Sequence, residues 1–437
     1  MRISNVRFQF PRNGQVPWLE DLRAGLAAKL EAGSYPLRLS IVDIGAGSFT
    51  VEATLVHYDA SDRHAGVLET AEVLNPRPKP AAASPFIAVQ VVPTGVRCDF
   101  GGYAGDAGPV TNLLALAVDR LVTNPNAVNA SDLNEMAENV LYVEGKTLDD
   151  FLLGHVGLGE SRANKIGTFI DPTGASLTHQ VINTLNAARA VKGIDCRLYT
   201  MLDRELGAKI EWSAAGCAVG TVAEPDAILD AVELLVGEGA DAIGGVSVIH
   251  GVTAEMFAGH MDGKLPNPSG GIEAIITHLI SKIFRLPSAH APLPYYTELK
   301  RTGISNPRAA AEFISTPHYF SVLKGLARAP RPVEFGAGTP PAGCLTLANV
   351  GAVVMPASCL GGIPALAAEF AGIPLVAVRE NGTILDVTNA KMRMGNVIEV
   401  ATYLEAAGVL LALRNGISLE SLRRPLDSAI EVVRPQR

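Results

Sequence analysis

The chain has 437 residues, 48% hydrophobic and 18% charged, with a formal net charge of -8. That length exceeds one ordinary core and predicts two or three packed units. The acidic balance, without a Lys/Arg run interleaved with aromatics, excludes a nucleic-acid partner. No apolar run reaches the roughly 20 residues that cross a bilayer, so no membrane partner is expected.

Met1-Arg2-Ile3-Ser4-Asn5 opens no apolar signal segment, and a soluble cytoplasmic protein is expected. The low charge content predicts apolar surface buried between domains or subunits, hence a homo-oligomer. Five cysteines, Cys98, Cys196, Cys217, Cys344 and Cys359, lie far apart without CxxC spacing, which argues against a disulfide framework and a structural zinc site.

Residues 18–32 read as a helix, and two β-rich runs, 37–42 and 49–58, follow as a hairpin or a pair of sheet strands joined at Gly45-Ala46-Gly47-Ser48. The stretch Ile41 to Ser48 superficially resembles the first phosphate loop of actin-like kinases, but the second loop and the adenosine motif of that fold do not follow. Instead the chain enters a Pro/Ala-rich linker, residues 75–85, which closes an N-terminal α+β extension of residues 1–84.

From Phe86 the pattern alternates. The expected order is a strand 86–92, a glycine loop, a helix 109–121, an Asn-rich loop, a strand near Leu141, a helix 176–191 and a strand 196–201. A helix 225–237, a strand 242–249 and a helix after Gly271 come next. Then follow a helix 307–326, a strand 351–355, a helix 363–371, a strand 375–378 and a closing helix 396–414. Near-continuous apolar strands between helices mean parallel sheets covered on both faces. The expected fold class is α/β: two Rossmann-like units with mainly parallel sheets, residues 85–215 and 216–437, behind the N-terminal extension.

Several segments carry candidate chemistry. Gly101-Gly102-Tyr103-Ala104-Gly105-Asp106 lies between a strand and a helix that opens at Pro109, where backbone amides can meet an anion. Gly101, Gly102, Tyr103 and Gly105 are therefore candidate ligand-binding residues, with Asp106 orienting or binding; the same glycines would also serve a tight turn. Asn124, Asn126 and Asn129 offer neutral amides for a carboxylate or amide ligand, or satisfy local turns and caps. Glu144, Asp149 and Asp150 read as a solvated acidic face.

His250 ends an apolar strand, the edge at which ligands lie in α/β folds. In Asn267-Pro268-Ser269-Gly270-Gly271-Ile272-Glu273, Asn267 and Ser269 can cap, Gly270 and Gly271 permit close backbone approach, and the helix N-terminus favours an anion. Glu273 and His278 stand about 140° apart around that helix, so they are not a ready-made metal pair. His250, His260, His278 and His290 could still converge on a divalent metal, although no cofactor is predicted. Cys217 and Cys359 sit in small-residue loops and could face one α-carbon as a racemase-type pair, or fill tight turns as small hydrophobes. Gly361 and Gly362 make a third glycine loop at a strand end.

The motifs GGYAGDAGP at Gly101, TNPNAVNAS at Thr123, NPSGGIEA at Asn267, PSAHAPL at Pro287, NPRAAAEFIS at Asn306 and ASCLGGIPALAA at Ala357 occur in this order. Over residues 86–435 the chain resembles a bacterial family, frequent in cyanobacteria, that is known as a domain of unknown function. The resemblance implies one conserved architecture whose glycine loops and His/Cys motifs form the functional surface, and implies no substrate.

The expected function is an enzyme acting on a small anionic metabolite, a carboxylate or carboxamide, as a hydrolase or an isomerase or racemase. Acid–base work falls to His250, His278 or His290 with Glu273, and thiol chemistry to Cys217 and Cys359. Neither a dinucleotide fingerprint nor a cofactor-lysine motif is present, so no redox cofactor is expected. The alternative is a non-catalytic phosphate- or nucleotide-binding sensor or scaffold.

Overall fold

The computed structural model describes residues 1–68, 74–125, 136–293, 306–309, 319–335 and 340–426. The N-terminal part comprises β1 (Arg2–Pro11), α1 (Trp18–Ala27), β2 (Ser34–Ile44) and β3 (Ser48–His57). Its strands form an antiparallel sheet in the order β1-β3-β2. The hairpin read from the sequence is β2–β3; β1 is an addition, hidden because Asn5 and Val6 break its polar–apolar alternation.

The next elements are β4 (Ile87–Gln90), α2 (Gly108–Leu116), β5 (Arg120–Thr123), β6 (Val140–Tyr142), α3 (Gly145–Leu152) and β7 (Val156–Gly159). They are followed by β8 (Ile166–Ile170), α4 (Ala175–Lys192), β9 (Leu198–Met201), β10 (Ala208–Trp212), β11 (Ala218–Thr221) and α5 (Pro225–Gly237). Then come β12 (Ala242–Ser247), β13 (Ile249–His250), α6 (Ala254–Met261), α7 (Gly270–Phe284), β14 (Ser288–Pro292) and α8 (Tyr319–Ala327). The chain continues through β15 (Arg331–Glu334), β16 (Cys344–Leu345), β17 (Val350–Pro356), α9 (Ile363–Phe370) and β18 (Leu375–Val378). It closes with α10 (Asn389–Met392), β19 (Val397–Val400) and α11 (Tyr403–Arg414).

Two parallel sheets organise these elements. The larger has the order β19-β18-β17-β4-β5-β6 and the smaller β14-β12-β8-β9. Each draws strands from both sides of residue 215. In both, the chain builds outward from its first strand and then returns to that strand's other side. The reversals fall between β4 and β17 and between β8 and β12, and such points open a crevice at the carboxyl ends of the strands.

Among the described residues, three large apolar cores follow from this layering, beside a small cluster of Tyr103, Met261 and Ala309. One lies between the N-terminal sheet and one face of the larger sheet, joining Trp18, Ile41 and Phe49 to Ile87, Val353 and Leu366. A second fills the space between the parallel sheets, joining Ala88, Leu121 and Val354 to Ile170, Val246 and Ala289. The third packs α5 and α7 beneath the smaller sheet and reaches Tyr35, Leu37 and Val56. The N-terminal sheet thus enters two cores, and β2 lies over the place where α3 and α7 meet. Even the linker is fastened: Ala83 N donates to Ala348 O at 3.0 Å, and Lys79 Nζ to Val350 O at 2.7 Å.

Three expected helices are corrected: the helix expected over residues 109–121 ends at Leu116, and Arg120 and Leu121 open β5. Residues 397–400 form the edge strand β19, because Val397, Ile398 and Val400 favour a pleated surface, and only after Thr402 accepts from Glu405 N at 3.2 Å does α11 begin. Of the expected helix 307–326, the described residues show a short turn at Pro307–Ala309 and then α8.

Candidate functional site

α7 is apolar on the side that meets the third core, where Ile272, Ile275, Ile276, Leu279 and Ile280 are buried. A residue advances 100° around a helix, so Glu273, Thr277 and Ser281 recur on one line with His278 and Lys282 beside them. Against this polar seam packs α3. Glu144 caps α3, accepting from Lys146 N at 2.8 Å and Thr147 N at 3.2 Å. Its other oxygen accepts from Thr277 Oγ1 at 3.0 Å and meets His278 Nδ1 in a short contact. Burial alone would raise the Glu144 carboxyl; His278 and these donors hold it below its ordinary value. Gly145 makes this possible, because a Cβ there would stand 2.7 Å from His278 Cε1.

Farther along the seam, α3, α7, β2, the segment 74–78 and Phe335 enclose a cavity of about 330 Å³. Its floor is a charge cluster. Lys146 Nζ donates to Asp150 Oδ1 at 2.6 Å, Arg285 donates to Asp150 Oδ2 at 2.6 Å, and Arg285 Nε reaches Glu334 at 2.7 Å. The Lys282 ammonium lies 4.8 Å from the centre of the Tyr35 ring and that of Lys146 5.9 Å, so the ring's negative face serves both. Burial opposes the charge on Asp150, yet Lys146, His155 and Arg285 hold its carboxyl well below the usual range. Asp149 differs: burial pushes its carboxyl up to about 7 against the pull of Lys146 and His278. Among the described residues no group hydrogen-bonds that carboxylate. The expected solvated acidic face is therefore corrected: Glu144 and Asp150 are buried, and Asp149 lines an enclosed space.

The other end of α7 gathers the residues expected for acid–base work. Glu273 Oε2 lies 3.4 Å from His290 Nδ1, and His290 Nε2 lies 2.9 Å from Ser247 Oγ. Nearby, Asp171 accepts from Leu206 N at 2.9 Å and Val248 N at 3.0 Å. His278 is turned to Glu144 instead. His250 is exposed, paired with Lys209 across β10 and β13. His260 is buried in α6, and its carbonyl accepts from Tyr103 Oη at 2.9 Å. Among the described residues no group of three or more His, Cys, Asp and Glu is arranged to hold a metal ion.

The glycine loops are closed by their own chain. Gly101 N and Tyr103 N donate to Asp106 Oδ1 at 2.7 and 3.2 Å, so Asp106 already fills the anion position, and Arg308 donates to its other oxygen at 3.1 Å. Gly105 adopts a positive φ of 78° in that turn, and a Cβ at Gly102 would lie 2.4 Å from Cys98 O. Asn124 locks the turn after β4 by exchanging hydrogen bonds with the Val92 backbone at 2.8 and 2.6 Å; Asn126 and Asn129 lie outside the described residues. Asn267 accepts from Ser269 N at 2.9 Å. Gly271 approaches Ala218 O, Gly270 faces Thr94, and Gly361 is pressed on Ile41 O, which Gly362 extends by a bridge to Ser40.

Cys217 and Cys359 share one core with Cys98. Burial pushes both thiols up, Cys359 to about 12, the direction opposite to thiolate formation. Sequence reasoning missed Ser247, Lys146, Lys282 and Arg285. It also missed Gln90, whose buried amide has no partner among the described residues at the β4/β17 reversal.

These features define an α/β protein with a charged, enclosed cavity under an N-terminal sheet. The chain belongs to the DUF3326 family of proteins of unknown function, whose family model matches residues 87–423. It is 34% identical over 339 residues, 77% of this chain and 92% of the relative, to an uncharacterized lipoprotein of Synechococcus sp.. The family resemblance carried by the sequence motifs is thereby shown. α3 and α7 lie within the matched region, whereas Tyr35, Leu37 and Leu39 of the cavity wall precede it.

Proposed function

We propose that this chain is an enzyme that binds a small anionic metabolite, a carboxylate or carboxamide, in the cavity between α3, α7 and β2, and transfers a proton on it. The observation that carries this reading is Asp149: a carboxyl with no hydrogen-bond partner among the described residues, facing a space also lined by Lys146, Lys282 and Arg285. The cations supply attraction for an anion, and enclosure strengthens it by excluding water. A carboxyl that titrates near neutrality can give and take a proton at the working pH. The Glu144–His278 pair stands behind it. Proton transfer next to a carboxylate, the isomerase or racemase type, needs only these groups.

The thiols play no part in this reading because burial disfavours their reactive form. All five cysteines are free, as in a reducing cytoplasm. Among the described residues no helix is long and apolar enough to cross a membrane. A lipid tether, as the Synechococcus relative's description as a lipoprotein implies for that protein, makes the opposite prediction in cell fractionation.

The test is a thermal-shift panel of small carboxylates, carboxamides and phosphates, since a ligand of the native state raises its stability by mass action. A carboxylate or carboxamide that stabilises the wild type and loses at least about tenfold in affinity with Lys282→Gln is expected. That ligand should exchange its α-proton with deuterated water, and Asp149→Asn should bind it without exchange. Stabilisation by no member of the panel sinks the reading.

A further inference from the structure

We infer that Ser247, His290 and Glu273 form a second, nucleophilic centre that cleaves an ester or similarly activated acyl group, independent of the cavity. Its position comes from topology. Ser247 ends β12 and Asp171 follows β8, so these two residues flank the reversal point of the smaller sheet at its carboxyl edge. β14, beside β12, supplies His290, with Gly245 and His290 as register partners. The first turn of α7 supplies Glu273.

The hydrogen bonds assign the roles. Ser247 Oγ and His290 Nε2 are 2.9 Å apart, the contact through which an imidazole takes a hydroxyl proton. His290 Nδ1 faces Glu273 Oε2 at 3.4 Å, the looser contact often seen before substrate tightens a site. A nucleophile, a base and a group orienting the base thus stand in line, the arrangement recognised by geometry and not by order in the chain. Ser247 and His290 are buried, and Glu273 is the member that reaches solvent.

The chemistry balances with water as the only co-reactant. Ser247 Oγ bonds to the acyl carbon while its proton passes to His290 Nε2, and Glu273 stabilises the imidazolium. That proton leaves on the departing alcohol as the acyl–oxygen bond breaks. Water then attacks the acyl-serine, giving its proton to His290, and releases the acid with Ser247 restored. Ser247 and His290 act on reacting atoms, whereas Glu273 positions His290.

The purified full chain is incubated with a fluorophosphonate, and the site of attachment is mapped by peptide mass spectrometry. One adduct is expected, on Ser247, absent from Ser247→Ala. His290→Gln should slow labelling at least about 100-fold, the contribution of a general base, while melting at a temperature close to wild type. An unmodified wild-type chain after prolonged exposure, or an adduct confined to another residue, overturns the inference, and this outcome needs no variant to fold.

Discussion

Lys146 and Asp150 close a 2.6 Å ion pair across one turn of α3, with only 6% and 2% of their surfaces exposed. Arg285 fastens the second oxygen of the same carboxylate from the end of α7. Two cations therefore share one buried anion; removing it takes from Lys146 its ion-pair partner, while Arg285 keeps Glu334. Asp150→Ala should cost about 3–5 kcal/mol, the usual penalty for breaking a buried pair from one side. The double variant Lys146→Met with Asp150→Leu should lose less than the sum of its single changes. Urea denaturation measures both, and additive losses would show that the pair is not coupled.

Asp149 makes stability depend on pH in the direction opposite to an ordinary carboxylate. Its folded value near 7 lies above the ordinary carboxylate value of 3.8, so between these the native state holds more protons than the unfolded one. Stability contributed by the protonated form is complete at acid pH and is lost as pH rises through about 7. The slope is up to roughly 1.4 kcal/mol per pH unit for one proton. Asp149→Asn, neutral throughout, should flatten urea midpoints between pH 5 and 7, pH values chosen within that window. An unchanged slope would place the proton on another group.

Gly145→Ala tests the close approach of α3 to α7. In an open helix the change would stabilise by about 0.5–1 kcal/mol. Here the added methyl would meet His278 Cε1 at 2.7 Å and push the ring from Glu144, so a net loss of about 1–3 kcal/mol is expected. A chemical melt gives the sign directly. Gain of stability would mean that the ring moves aside freely.

Gln90→Met should raise stability. The Gln90 side chain is wholly buried, and among the described residues neither its amide nitrogen nor its amide oxygen has a partner. Leaving such a group unpaired costs about 1–3 kcal/mol, and an apolar side chain of similar shape avoids that cost. A gain of about 1 kcal/mol or more in the urea unfolding free energy is the expected outcome. Destabilisation would reveal that the amide is held by an ordered water.

Sequence by itself determined the α/β class, the order of most strands and helices, and the family. Periodicity and turn chemistry act within a dozen residues, and apolar runs such as residues 375–378 report them faithfully. It also marked Glu273, His278 and His290 as candidates, because charged groups on an apolar helix and at strand ends stand out. Only tertiary structure decided what those groups face. Lys146 and Asp150 show an i,i+4 spacing in any reading, but burial under β2 turns an expected solvated face into a cavity floor. Asp106 reads as a ligand group until the fold places it in its own loop's amides. Ser247 gains its meaning from a neighbour 43 positions away. These relationships depend on which strands share a sheet and which helices cross, and packing between distant segments decides that.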